Sequence, residues 1–139
     1  MIATNVAGYF FMTQQAVAQM RKQRSGHIVT ISTVLTDQPL AGGHNALPVI
    51  TKSTIPAFSR QLAMEYVTDG IRANTISPGV VDTPLHANDD HELLKKLHPV
   101  SRLVQVSEIV DALLYLESAV MVNGENIRID GGAHAGAKW

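Results

Sequence analysis

The chain opens with apolar residues at helical spacing. In TNVAGYFFMTQQAVAQMRKQR, Val6, Phe10, Val17 and Met20 fall at i, i+4, i+11 and i+14. That spacing predicts a helix over residues 5–24 with one buried stripe. Its last turn carries Arg21, Lys22 and Arg24, which suits the negative end of a helix dipole, and Gly26 is the expected stop. HIVTIS follows, a β-branched run that predicts a buried strand. After a loop of Gly, Pro and Asp, residues Ile55, Phe58, Leu62 and Tyr66 recur at i, i+3, i+7 and i+11. They predict a second long helix, over residues 47–69, stopping near Asp69–Gly70. IRANTIS predicts a second strand, broken by Pro78–Gly79. VVDTPLHANDDHELLKKLHP reads as loop plus one short helix. VSEIVDALLYLES predicts a third main helix, with Ser107 as candidate N-cap. NGENIRID gives a turn and a third strand, closed by Gly131–Gly132.

Helix and strand therefore alternate through the chain. Strands separated by helices pair in parallel through right-handed crossovers, so the fold class is α/β. Three strands make a thin sheet, and the first is expected to present an open apolar edge. No strand precedes the first helix, so the pattern is that of the second half of a doubly wound fold. No repeat, linker or low-complexity stretch divides the chain, and residues 1–139 are expected to form a single partial domain.

Composition narrows the partners. The chain is 45% hydrophobic and 17% charged, ordinary for a globular protein. Eleven basic and twelve acidic side chains give a net charge of −1, which offers no basic field for a phosphate backbone; a nucleic-acid partner is not expected. There is no cysteine, hence no disulfide and no thiolate metal site, in keeping with a cytoplasmic location. The N-terminus lacks the pattern of a signal peptide. No segment reaches the ~18 apolar residues of a membrane span.

Five segments together resemble one family. TNVAGYF is similar to its helix-opening asparagine motif, GHIVTIST to the strand that delivers a catalytic serine, and TKSTIPAFSRQLAMEY to the helix carrying an active-site lysine. GIRANTISPGVVDTP is similar to the strand and Pro-Gly turn beside the nicotinamide, and NGENIRIDGG to the last strand with its Asp-Gly-Gly end. In this order and spacing, the whole chain resembles the C-terminal half of the short-chain dehydrogenases/reductases. The resemblance implies part of a Rossmann-like doubly wound parallel sheet, with three strands, three main helices and the N-terminal dinucleotide-binding half absent. It implies an NAD or NADP cofactor and a small-molecule carbonyl/alcohol pair as substrate. It also implies a homo-oligomer paired through the helices near residues 5–24 and 47–69.

Such chemistry couples hydride transfer, supplied by the cofactor, to a proton the protein must deliver. A tyrosine hydroxyl with a pKa near 10 serves only when a nearby ammonium favours the phenolate. Carried onto this sequence, the lysine falls on Lys52, for the cofactor ribose and electrostatics. The serine position falls on Thr33, for the substrate oxygen, and the asparagine on Asn5, for a water relay. Pro78, Gly79, Val81 and Thr83 fall on the nicotinamide side. Asn5 could equally be a helix N-cap, and Thr33 an ordinary strand-end threonine.

Three departures stand out. The tyrosine position, four before Lys52, is Pro48, which has no hydroxyl and no N–H; aligned from the threonine side it is Ala46. His44 is the titratable group close before Lys52 and the candidate substitute acid. Pro56, four after Lys52, removes the N–H that would bond the Lys52 carbonyl, so a bend is expected there. No Gly-rich pyrophosphate turn follows a first strand; AGGHNAL lies after the wrong strand. The chain therefore holds one wall of a cofactor site and not the floor, and activity by this chain alone is not expected. A catalytically inactive oligomerisation or scaffold module is the alternative. His86, His91 and His98 sit in one region, but no metal site is assigned to them.

Overall fold

The computed structural model describes residues 1–41 and 44–136. Gly42 and Gly43 of the AGGHNAL loop lie outside the described residues. The sheet holds β1 (Gly26–Ile31), β2 (Ile71–Pro78) and β3 (Asn126–Ile129), all parallel, in the order β1-β2-β3. Gly26 stands opposite Ile71, and Thr75 opposite Asn126. The helices are α1 (Tyr9–Gln23), α2 (Ala46–Lys52), α3 (Thr54–Glu65), the short α4 (His91–Lys95) and α5 (Val106–Ser118). This is the α/β arrangement expected from the alternating pattern.

β2 is central, and alternate residues along it feed two cores. On one face Ala73 packs with Leu62 and Ala63 of α3, joined by Ile28, Phe58 and Tyr66. On the other, Ile76 packs with Ala112 and Leu116 of α5, joined by Val29, Ile109 and Val122. The strand also buries polar groups, and each is paired, as a dry interior requires. Thr75 donates to Ser59 Oγ at 3.0 Å, where Thr30 Oγ1 also lies at 3.0 Å. Ser77 donates to Asn126 Oδ1 at 2.8 Å.

Several expectations need correction. β1 is at the open edge, as expected, but it is largely half-buried rather than buried, with Ile31 exposed, because only β2 pairs with it. The helix over residues 5–24 is not uniform. Ile2–Gly8 forms a wider π-helical turn before α1, and spacing counted from Val6 does not carry through it. The buried α1 residues are Thr13 and Val17; Val6 and Phe10 are 37% and 47% exposed. The α1 stop is Arg24, left-handed at φ 56° and held by Asp69 and the Thr68 carbonyl. Gly26 instead starts β1, where a Cβ would fall 2.3 Å from Met20 Sδ. The helix over residues 47–69 is two helices parted at Ser53, followed by a 3-10 turn Val67–Asp69 and left-handed Gly70. The cap of α5 is Gln105 rather than Ser107: the Glu108 carboxylate accepts its N–H at 2.8 Å.

Candidate functional site

In a parallel sheet crossed by helices, ligands gather outside the carboxyl ends of the strands. Thr33, Pro78–Gly79 and Asp130–Gly131 all follow strand ends at that side of the sheet. Asp130 is 2% exposed. Burial works against its charge, yet N–H groups of His134 and Gly132 hold its carboxyl below the ordinary range.

Lys52 ends α2 beside β1. Its side chain is half-buried, and desolvation lowers its pKa from the usual 10.5. Its Nζ donates to the Ser32 carbonyl at 3.4 Å. Among the described residues no carboxylate forms an ion pair with it. A half-buried ammonium without a counter-ion is costly and is uncommon in purely structural settings.

Asn5 is not an N-cap. It lies inside the π-helical turn, and its Nδ2 donates to Thr51 Oγ1 at 3.1 Å. Thr51, wholly buried, donates onward to the Leu47 and Pro48 carbonyls. The asparagine is thus tied to the residue next to Lys52. Thr33 Oγ1 accepts from the Leu35 N–H at 3.4 Å and so caps a 3-10 turn. That contact uses a lone pair and leaves the hydroxyl proton available.

Pro48 stands in the first turn of α2, where a helix has no partner for the N–H that proline lacks. It lies one turn before Lys52, on the same helix face. The Tyr9 hydroxyl lies 3.4 Å from Ser59 Oγ, and its ring packs edge-on against Phe58. His44 is exposed, two residues before α2. Among the described residues it makes no hydrogen bond to Asn5, Thr33 or Lys52.

The Pro78–Gly79 turn is locked from two sides. Gly79 N–H donates to the Ile129 carbonyl at 2.9 Å, and Val80 N–H to His98 Nε2 at 3.0 Å. His98 is 2% exposed, and its Nδ1 lies 2.6 Å from the Arg102 carbonyl. Nε2 is therefore the acceptor and Nδ1 carries the proton. A Cβ at Gly79 would fall 2.2 Å from His98 Nε2, so only glycine fits. Val81 pairs with Val104, and Thr83 Oγ1 donates to the Val81 carbonyl at 3.4 Å. His91 does not share a helix face with His98, since α4 stops at Lys95. Among the described residues no three His, Cys, Asp or Glu side chains are grouped to hold a metal.

Asn5, Thr51, Lys52 and Ser32 are thus brought together; His44 is not. Sequence reasoning missed Ser32 and Thr51, and weighed His98 only as a ligand. Thr51 sits beside the singled-out lysine, and Pro56 signalled a carbonyl in need of a donor. The residues present suit one side of a nicotinamide site: an ammonium, a hydroxyl and a glycine-dependent turn. Among the described residues no Gly-rich turn leads into a helix N-terminus for a pyrophosphate.

The chain is 33% identical over 141 residues to the 2,5-dichloro-2,5-cyclohexadiene-1,4-diol dehydrogenase of Sphingobium indicum, covering 98% of this chain and 56% of that protein. It is 29% identical over 138 residues to the 3-oxoacyl-[acyl-carrier-protein] reductase of Escherichia coli, covering 96% and 56%. The chain therefore spans a little over half the length of the curated relatives it matches. A gluconate 5-dehydrogenase from Burkholderia cenocepacia, solved with NADP and tartrate, superposes with a TM-score of 0.88 at 27% identity, covering 98% of this chain and 55% of that one. Residues 1–134 match the family described as enoyl-(acyl carrier protein) reductase, and with these relatives the chain belongs to the short-chain dehydrogenase/reductase family.

Proposed function

We propose that this chain supplies the lysine side of an NAD(P)-dependent oxidoreductase acting on a carbonyl/alcohol pair. The observation that carries the reading is Lys52: half-buried, without a carboxylate partner among the described residues, at the carboxyl end of the sheet. A nicotinamide cofactor bound there would supply or accept the hydride. Lys52 would hold its ribose, Pro78 and Gly79 would wall the nicotinamide, and Val81 and Thr83 would face its carboxamide. Thr33 would donate its free hydroxyl proton to the substrate oxygen. Asn5, fixed by Thr51, would hold a water on the path of the proton.

The proton itself needs a source other than residue 48. Two groups can supply it. One is the His44 imidazole, exposed in the loop before α2. Lys52 is made more acidic by its own burial. Oligomerisation through the first helix and through α2 and α3 accompanies this reading, supported by the exposure of Phe11, Met12, Leu47 and Ile50.

Saturation-transfer NMR with NADH and NADPH tests the assignment. Transfer to the nicotinamide-side ribose protons is expected for the unmodified protein and lost in Lys52→Ala. No transfer with either nucleotide would overturn it.

A further inference from the structure

Lys52 is held at both ends by one residue. Ser32 Oγ donates to the Lys52 carbonyl at 3.0 Å, and the Ser32 carbonyl accepts from Lys52 Nζ at 3.4 Å. Ser32 is 1% exposed and is itself anchored, its N–H donating to the Ile76 carbonyl of β2 at 2.9 Å. Through that bond the lysine is referenced to the central strand rather than only to its own helix.

The need for this arrangement is written four residues later. In an unbroken helix the N–H of residue 56 would donate to the Lys52 carbonyl. Residue 56 is proline and has no N–H. The helix parts at Ser53, and the carbonyl meets the hydroxyl of Ser32, the residue after β1, instead. A buried carbonyl without a donor is costly, so the two features belong together.

We infer that Ser32 is a positioning residue for Lys52, its hydroxyl replacing the helical hydrogen bond that Pro56 removes and its carbonyl fixing the ammonium. Ser32 acts through Lys52 and touches no reacting atom. Its importance for hydride chemistry rests on the role proposed for Lys52, but the geometry is tested without activity.

The test is amine labelling of the whole protein, read lysine by lysine by mass spectrometry, with Lys22 and Lys95 as internal references. Four proteins are compared: unmodified, Ser32→Ala, Pro56→Ala and the double variant. Ser32→Ala is expected to raise the labelling rate of Lys52 relative to Lys22 at least about threefold, the scale of one lost hydrogen bond. Pro56→Ala restores the helical donor, so the same Ser32→Ala change is expected to matter less than about 1.5-fold in that background. A merely structural serine would loosen all sites alike and show no rescue. No Lys52-specific rise in folded Ser32→Ala, or an equal rise in both backgrounds, would overturn the inference. Should Ser32→Ala not fold, NMR of the unmodified protein decides. The Lys52 carbonyl carbon must shift when the Ser32 hydroxyl proton is exchanged for deuterium; an unmoved carbon overturns it. Loss of cofactor binding alone, with the labelling pattern intact, would count against the proposed function and not against this geometry.

Discussion

The two ends of the sheet treat their cations differently. At the amino end, Arg72 is saturated. Its guanidinium donates to the Leu116 carbonyl at 2.9 Å, to Val122 at 3.1 Å and to Glu117 at 3.1 Å, closing the last turn of α5. Beside it His27, its side chain 6% exposed, meets Glu117 Oε2 at 2.7 Å and Asn74 Nδ2 at 3.0 Å. At the carboxyl end, Lys52 has one carbonyl at 3.4 Å and no carboxylate partner among the described residues. Saturation is what structural polar groups reach, because each unmet bond costs stability. A cation left short of partners marks a place kept ready for something else.

Breaking the saturated end should cost most. Arg72→Met strips donors from the α5 carbonyls and is expected to lose about 2–4 kcal/mol in urea denaturation. A loss under about 1 kcal/mol would show that the α5 end is held by other means. His98→Leu leaves the Val80 N–H and the Arg102 carbonyl without partners. An expected loss of about 1–3 kcal/mol follows, with faster amide exchange at Val80. Lys52→Met should stay within about 0.5 kcal/mol of the unmodified protein at neutral pH, since the charge it removes is not well compensated. The sign with pH follows from burial. The folded state binds the Lys52 proton less tightly than the unfolded chain, so stability rises as pH climbs from the folded pKa towards 10.5. That rise should vanish in Lys52→Met.

The smallest effect is at the other end of α5. The Arg102 guanidinium at 2.6 Å, then the Gln105 N–H, hold the Glu108 carboxyl down to about 2. Its contribution is present above 4.5 and lost as pH falls towards about 2. Carboxyl NMR of Glu108 should show this midpoint, and Arg102→Gln should move it upwards.

Much of this was legible from local pattern. β2 was bounded by Gly70 and Pro78–Gly79, and α5 by its apolar spacing, because both elements are built from short-range signals. Lys52, Thr33 and Asn5 were singled out only through their resemblance to family motifs. The face of α1 was misread because the π-helical turn changes the period between Val6 and Phe10, and a residue string does not display a hydrogen-bond pattern. Ser32 and Thr51 were missed for a different reason. The value of Ser32 depends on the end of β1 passing beside α2, a contact between residues 20 positions apart, and that of Thr51 on the π-helical turn reaching α2 from 46 positions away. Pro56 lay between these cases: it announced a missing donor without naming the replacement.

The most direct test of the account is the pH titration of the Lys52 side chain by NMR, with Lys22 and Lys95 as references. A midpoint below 10.5 that responds to added NADH or NADPH is the predicted result. A Lys52 that titrates with the other lysines and ignores both nucleotides would contradict the claim that the carboxyl end of this sheet is a working site.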